Sequence, residues 1–237
     1  MNREDLSKYF SGYTGTFVLY SENNQQYTIY NEPKSNERLS PCSTFKIYNS
    51  LIGLESGVLD KEDSRTLKKW NGQTYSIPSW NRDHTLHSAI ANSVVWYYQE
   101  LAREIGNDRM QSNINKLNYG NQDISGGIDQ FWLCSSLKIS AQEQVALLKQ
   151  LYNNELPFSV ENMAITRKII VLSTNNDTIF SGKTGTAYGE VLGWFVGCVE
   201  KDGNKYFFAT NIQGDHAANG LKAREITKCI LTDLGVL

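Results

Sequence analysis

A serine and a lysine three residues apart have the clearest capacity for covalent chemistry in this chain. Ser43 and Lys46 lie in the sequence PCSTFK at residues 41–46, which opens an apolar run that ends at Gly57. In a helix, residues three apart lie one turn from each other on the same side. A serine hydroxyl is a poor nucleophile until a base takes its proton, and the lysine amine is the ionisable group one turn away. The spacing therefore suits a catalytic serine on a buried helix.

Two later segments carry residues that fit the same chemistry. Ser93 opens the sequence SVV at residues 93–95, in a break between two helical segments, and Lys183 opens KTG at residues 183–185, on a predicted strand. The alternative role for Ser93 is that of a helix cap. A phosphate-binding loop is excluded for the second segment, because the loop needs glycine where the chain has Asp177 and a helix where it has a strand.

The serine–lysine spacing alone proves little, because Ser135 and Lys138 repeat it. That second pair is not followed by a comparable serine triplet before Lys183, whereas the first pair is followed by Ser93. The order Ser-x-x-Lys, serine triplet and Lys-Thr-Gly is the one found in penicillin-binding proteins and class A β-lactamases. The joint occurrence of the three segments is much more specific than any one of them.

The composition is that of an ordinary soluble globular chain of 237 residues, with 40% hydrophobic and 20% charged residues. Such a chain can bury one or two real cores. A net charge of -2 with scattered basic residues argues against a nucleic acid partner. No apolar run approaches the roughly 18 residues of a membrane span. The N-terminus does not resemble a signal peptide, so we expect a cytoplasmic protein or one whose export segment is absent from this chain.

The elements that must position these residues follow an α+β pattern. β-branched and aromatic residues predict a hairpin at 13–20 and 27–30, and later strands at 178–186, 192–199 and 205–212. Residues 43 to about 172 are mostly helical in pattern, with a capping box at Ser140 and Glu143, and a last helix is predicted over 219–234.

This pattern predicts a sheet closed from both chain ends around a helical insert. We expect a sheet domain formed by residues 1–40 and 173–237, a helical domain formed by residues 41–172, and the active site between them. The sheet should be antiparallel, with about five to seven strands flanked by terminal helices.

The motifs together resemble the class D, oxacillinase-type serine β-lactamases and, almost as closely, the β-lactam sensor domains of Gram-positive membrane receptors. The resemblance spans nearly the whole chain, through STFK at 43–46, SVV at 93–95, YGN at 119–121, WL at 132–133, LKIS at 137–140, KTG at 183–185 and GWFVG at 193–197. It implies the penicillin-binding/serine β-lactamase fold and a hydrolase of class EC 3.5.2.6 that acts on β-lactam antibiotics through an acyl-serine intermediate.

The resemblance assigns catalytic roles to five residues. Ser43 would be the nucleophile, and Lys46 would react with carbon dioxide to form an N-carboxylated lysine that serves as general base. The indole N–H of Trp132 would hold that carbamate; the alternative for Trp132 is core packing. Ser93, close to Lys183, would pass a proton to the departing lactam nitrogen.

The resemblance also implies how the substrate is bound. Backbone N–H groups of Ser43 and Thr186 would form the oxyanion hole. The substrate carboxylate would meet Lys183, the hydroxyl of Thr184 and Arg224 on the last helix; the alternative for Arg224 is an exposed helix charge. Gly185 would let the substrate approach the strand closely.

Val95 distinguishes the two branches of the resemblance. The sensor domains carry asparagine at this position, where an amide can compete for the lysine and leave the acyl-enzyme long-lived. The apolar Val95, together with Leu133 after Trp132, favours the hydrolase. A sensor domain that is acylated at Ser43 without rapid turnover is the alternative, and a transpeptidase or carboxypeptidase is a third.

The cysteines give the last expectations. None of the four forms a CxxC pair or has a histidine at ligand spacing, so no metal site is expected. Cys42 precedes the nucleophile and Cys134 stands where the family is often acidic, and we hypothesise a disulfide between them, with free buried thiols as the alternative. Such a bond would suit an extracellular or cell-surface protein of a Gram-positive bacterium. The expected partners are small β-lactams, and the protein would be a monomer or homodimer.

Overall fold

The sheet is built from segments near both ends of the chain. The computed structural model describes residues 5–237, and its strands are β1 Thr14–Ser21, β2 Gln26–Tyr30, β3 Val171–Asn175, β4 Thr178–Thr186, β5 Leu192–Lys201 and β6 Asn204–Gln213. They form one six-stranded sheet in the order β2-β1-β6-β5-β4-β3, and every neighbouring pair is antiparallel. This agrees with the predicted antiparallel sheet of five to seven strands.

Helices occupy most of the chain between β2 and β3. Those within residues 5–237 are α1 Glu32–Ser35, α2 Lys46–Glu55, α3 Leu86–Ala91, α4 Val95–Ile105, α5 Asn107–Leu117, α6 Ala141–Tyr152, α7 Val160–Ile169 and α8 Gly220–Asp233. The predicted capping box begins α6: Ser140 accepts a hydrogen bond from the backbone of Glu143, whose carboxylate accepts one from the backbone of Ser140. In the described part of the chain, no helix is long and apolar enough to span a bilayer.

Helices cover both faces of the sheet, so its central strands are buried over most of their length. Successive residues of a strand point to opposite faces. On β5, Phe195 lies in a core cluster with Ile226 and Ile230 of α8, whereas Trp194 belongs to the larger cluster that includes Leu148 of α6. Burial on both faces explains why β1 and β5 contain consecutive apolar residues, at 17–20 and 194–196, rather than an alternating pattern.

The central helix α2 is buried over almost its whole length. Its start differs from the prediction, because Ser43 lies in a 3-10 turn, Cys42–Phe45, and the α-helix begins only at Lys46. The side chain of Thr44 explains the tighter turn: its hydroxyl donates to the carbonyl oxygen of Pro41 at 2.7 Å, and its backbone N–H reaches the same oxygen at 3.2 Å.

The strand β3 was not predicted, since the sequence pattern placed residues up to about 172 in the helical region. Every residue of β3 is exposed, and its pairing with β4 is interrupted by a register shift between Val171 and Ser173. An exposed edge strand has no alternating pattern to detect. The division of the chain at residues 40 and 173 into two domains stays a prediction.

Candidate active site

The amine of Lys46 lies between two serine hydroxyls. As the first residue of α2, Lys46 projects one turn back toward the turn Cys42–Phe45, and its Nζ donates to the Oγ of Ser43 at 3.0 Å. The same nitrogen donates to the Oγ of Ser93 at 3.1 Å and to the carbonyl oxygen of Ser93 at 2.6 Å. The two sequence segments are thus joined at one nitrogen atom.

A second lysine reaches Ser93 from the sheet. Lys183 on β4 donates from Nζ to the Oγ of Ser93 at 3.0 Å and to the carbonyl oxygen of Thr184 at 2.9 Å. The structure therefore brings together Ser43, Lys46, Ser93 and Lys183, as the order of motifs predicted.

Both amines are buried, and burial disfavours their charged forms. Lys46 is fully buried, and loss of hydration, with a smaller effect of the charge on Lys183, lowers the pKa of its amine well below the usual value. Burial likewise lowers the pKa of Lys183 to about 7. A lysine with a lowered pKa can be neutral near physiological pH, and can then accept a proton.

Ser93 lies in a strained break between α3 and α4. Its φ of 55° is in the left-handed region, and α4 begins at Val95 without a side-chain cap. Non-glycine residues in this region are uncommon and cluster at functional sites. The hydroxyl is directed to the two lysines and caps no helix, so the alternative role for Ser93 does not apply.

The strand β4 runs close against the nucleophile's turn. A Cβ atom added at Gly185 would lie 2.9 Å from the carbonyl oxygen of Pro41 and 3.3 Å from the Cβ of Cys42, so the approach requires glycine. Alternate residues of an antiparallel strand direct their N–H groups to opposite neighbours. Ala187 donates to β5 and Gly182 donates to the opposite side, so the N–H of Thr186 points away from β5, toward the open edge of β4.

A cleft of about 320 Å³ adjoins β4, and Lys183, Thr184 and Arg224 all contribute to its lining. Arg224 on α8 is half-buried, with its guanidinium carbon 5.9 Å from the ring centre of Phe195. Two basic residues and a threonine thus line one cleft, which suits an anionic group of a ligand. The residue is not simply an exposed helix charge.

Trp132 is a fully buried indole with an unused donor. Its ring centre lies 5.7 Å from that of Phe45, the residue before Lys46, and its Nε1 has no hydrogen-bond partner among residues 5–237. An unpaired buried donor is costly, and native proteins rarely keep one. The indole N–H of Trp132 therefore fits an additional buried acceptor such as a carbamate oxygen.

Comparisons with known proteins agree with this geometry. The family model of the penicillin-binding protein transpeptidase domain matches residues 15–232. "Probable beta-lactamase YbxI" of Bacillus subtilis is 42% identical, with 100% of this chain and 87% of that protein covered. "Regulatory protein BlaR1" of Bacillus licheniformis is 42% identical over 98% of this chain, which spans only 39% of that protein's length.

Solved structures give the same result. A class D β-lactamase from Bacillus subtilis superposes with a TM-score of 0.94 at 42% identity, covering 99% of this chain and 97% of that one. This chain belongs to the class D β-lactamase family. The C-terminal domain of the Bacillus licheniformis BlaR penicillin receptor superposes equally well, with a TM-score of 0.94 at 40% identity and coverage of 99% and 96%. The family fold is thus shared by enzymes and receptors.

Ser40 is a residue of this class D site that the sequence analysis missed. Its carbonyl oxygen accepts from the indole of Trp194 at 2.9 Å, and its Oγ donates to the carbonyl oxygen of Trp132 at 3.1 Å. The same Oγ accepts from the backbone N–H of Cys134 at 2.9 Å. Ser40 thereby ties the nucleophile's segment to the Trp132 loop and to the sheet. Its position two residues before the turn was the only sequence signal.

The cysteines of this family member are free thiols in the structure. The Sγ atoms of Cys42 and Cys134 are 4.0 Å apart, about twice the length of a disulfide bond. The hypothesised bond is therefore not formed here, although the two residues are neighbours as expected, and the bond stays a prediction. In the described part of the chain, no group of three or more His, Cys, Asp or Glu side chains is placed to hold a metal ion.

Proposed function

We propose that this chain hydrolyses the β-lactam ring of penicillin-type antibiotics through a covalent acyl-Ser43 intermediate. The observation that carries the proposal is the shared position of the Lys46 amine, within 3.1 Å of the hydroxyls of both Ser43 and Ser93. The membership of the class D family supports the same reaction.

In the first half of the reaction, the Oγ of Ser43 gives its proton to the base at position 46, which we propose to be the N-carboxylated form of Lys46, and attacks the strained lactam carbonyl carbon. Charge develops on the carbonyl oxygen, and the backbone N–H groups of Ser43 and Thr186 stabilise it. The C–N bond breaks, and the nitrogen receives the proton of the Ser93 hydroxyl. Lys183, 3.0 Å from that hydroxyl, replaces the proton.

The carboxylate next to the lactam nitrogen fixes the substrate's orientation. Lys183, Thr184 and Arg224 line one cleft beside β4. We assign the guanidinium of Arg224, the hydroxyl of Thr184 and the protonated form of the Lys183 amine to this carboxylate. Orientation of this kind is a large part of what a hydrolase contributes to the rate.

Hydrolysis of the acyl-enzyme needs a base for water, and we propose that Lys46 is N-carboxylated by carbon dioxide. The lowered pKa of Lys46 favours the neutral amine that such a reaction requires. The unpaired indole N–H of Trp132 would hold a carbamate oxygen, which would satisfy a donor that otherwise has no partner. When present, the carbamate supplies the base for both halves of the reaction, acylation of Ser43 and deacylation by water.

The second candidate function is a β-lactam sensor domain, which the equal superposition on the BlaR receptor domain supports. We favour hydrolysis because Val95, two residues after Ser93, is apolar and cannot compete for Lys46.

The location that we propose is the cell surface of a Gram-positive bacterium or the medium outside the cell, where the protein would meet antibiotics that act on the cell wall. A monomer or homodimer is expected, and sedimentation would decide between the two.

One experiment separates the candidates. The purified protein is mixed with a penicillin, and its intact mass is followed over time with and without bicarbonate. A hydrolase forms an adduct on Ser43 that disappears as substrate is consumed, faster with bicarbonate, and Ser43→Ala forms no adduct. A stoichiometric adduct that lasts for hours would establish the sensor and reject hydrolysis.

A further inference from the structure

Two thiols of unequal exposure meet at the rim of the active site. Cys134 is exposed and lines a recess of about 370 Å³ together with Leu133, Thr186 and Tyr188. Cys42 is buried, with 1% of its surface exposed, and its Sγ lies 4.0 Å from that of Cys134. A small molecule that enters the recess can thus reach Cys134, whereas the buried Cys42 does not line the recess.

The surrounding hydrogen bonds fix this pairing. The backbone nitrogen of Cys134 lies 2.9 Å from the Oγ of Ser40, and the Sγ of Cys42 lies 3.9 Å from the same oxygen atom. Both cysteines have a positive φ, 49° for Cys42 and 56° for Cys134, in a region that non-glycine residues seldom adopt. The fold therefore holds the two sulfur atoms together against the local backbone preference.

We infer that Cys134 is a thiol-modification site for small organic disulfides at the active-site rim, and that Cys42 is the resolving thiol that clears the adduct. Cys134 loses its proton to solvent, and its thiolate attacks a disulfide RSSR, forms a mixed disulfide with one SR group and releases RS⁻, which takes up a proton from solvent as RSH. Cys42 then gives up its proton and attacks the Cys134 sulfur; the bond to SR breaks, and RS⁻ takes up the proton as RSH. One RSSR is reduced to two thiols, and Cys42 and Cys134 are oxidised to one disulfide.

The protonation states of the pair favour this order of events. A hydrogen bond with Cys42 lowers the pKa of Cys134, while the same bond, with burial, raises the pKa of Cys42. The thiolate is the attacking form. The exposed cysteine is therefore the first to react, and the buried cysteine reacts only when an adduct brings an activated sulfur to it.

The adduct and the disulfide have different consequences for the site. A group attached to Cys134 would occupy the recess beside Thr186, whose backbone N–H we assign to the oxyanion hole. Resolution by Cys42 removes that group and leaves a bond confined to the protein. The chemistry of the thiols does not depend on the proposed hydrolysis, because it can be followed by mass alone.

Cys229 provides a matched control, because it is also exposed but lies on α8, where the described residues place no second thiol beside it. The full chain is treated with oxidised glutathione at neutral pH, and sites are assigned by peptide mass mapping. In the wild type we expect loss of two hydrogen atoms at Cys42 and Cys134, formed about tenfold faster than any adduct on Cys229. In Cys42→Ser, we expect a stable glutathionyl group on Cys134.

Two results would overturn the inference. The first is that Cys229 reacts while Cys134 stays unmodified. The second is that the wild type keeps the glutathionyl group on Cys134 as long as Cys42→Ser does, since Cys42 would then resolve nothing. Cys134→Ser should leave Cys42 unmodified, which separates direct oxidation of Cys42 from resolution. Turnover of a chromogenic cephalosporin adds a functional readout: glutathionylated Cys42→Ser should lose it, and a reductant should restore it.

Discussion

The hydroxyl oxygen of Ser93 lies 3.0 Å from the amine of Lys183 and 3.1 Å from the amine of Lys46. One hydroxyl thus connects two buried amines whose pKa values are both lowered. A proton taken from Ser43 can pass through this group without crossing open solvent. The connection depends on the positive φ of Ser93, which aims a short side chain at both nitrogen atoms.

Lys183 leads to a prediction about stability and pH. Burial lowers its pKa to about 7 in the folded protein, whereas the unfolded chain keeps a value of about 10.4. Between these values the unfolded chain binds a proton that the folded protein lacks, so the free energy of unfolding rises with pH. The contribution approaches about 1.4 kcal/mol per pH unit. Lys183→Met should remove it.

The free energy of unfolding in urea, measured at several pH values between about 7.5 and 9, gives this slope, because Lys183 takes up a proton on unfolding in this pH range. The exposed Lys116 on α5 gives a matched control, since Lys116→Met should keep the wild-type slope. Equal slopes for the wild type and Lys183→Met would contradict a lowered pKa at this position.

Trp132→Phe tests the carbamate without removing the aromatic ring. The change deletes the unpaired indole N–H, so the carbamate on Lys46 should lose its donor, and turnover should fall by about tenfold or more at limiting bicarbonate. NMR of protein incubated with carbon-13 bicarbonate gives a readout that does not depend on activity. The carbamate signal should be present in the wild type and absent in the variant. Trp70→Phe, at an indole bonded to Gln73 on the surface, should keep both.

Val95→Asn should convert turnover toward persistent acylation. An amide at this position can hydrogen-bond Lys46 and compete with carboxylation, so deacylation should slow by about tenfold or more while acylation of Ser43 continues. The lifetime of the adduct by intact mass measures the effect. Val95→Ala, which stays apolar, should resemble the wild type. An unchanged lifetime in Val95→Asn would remove our reason for preferring hydrolase to sensor.

Gly185→Ala should disturb the oxyanion hole. The added methyl group would lie 2.9 Å from the carbonyl oxygen of Pro41 and 3.2 Å from the methyl group of Thr44, so β4 must move away from the nucleophile's turn. Loss of one oxyanion donor typically costs about 10²- to 10³-fold in rate, and kcat/KM should fall accordingly. Gly214→Ala, where the nearest atom is a ring carbon of Tyr13 at 3.3 Å, should have little effect. Equal activities would contradict our assignment.

The sequence was sufficient for elements whose pattern reflects burial or capping. β4 begins and ends at the predicted residues, Thr178 and Thr186, and the capping box of α6 is confirmed. Both are local signals: β-branched and aromatic residues that follow a cluster of turn residues mark a strand, and a serine three positions before a glutamate marks a helix start.

Features that depend on distant contacts could not be predicted. The edge strand β3 has no buried residue, so its pairing with β4 left no trace in the hydrophobic pattern. The contacts of Ser40 with Trp132 and Trp194 join residues 92 and 154 positions apart, and no spacing rule relates them. The motif residues were found because their order is specific, whereas the group that ties their segments together is an ordinary serine.

The pairing of β1 with β6 sets a limit on how early the site can form. The amide of Asn204 donates to the hydroxyl of Ser21 at 3.0 Å across 183 positions of the chain. Contacts at such separations are slow to form, and the hairpin of β1 and β2 is at best marginally stable alone. During synthesis, β1 therefore lacks its partner β6 until nearly the whole chain has left the ribosome. A molecule truncated before β6 would lack the partner of β1, and with it the frame that holds Lys183 against Ser93.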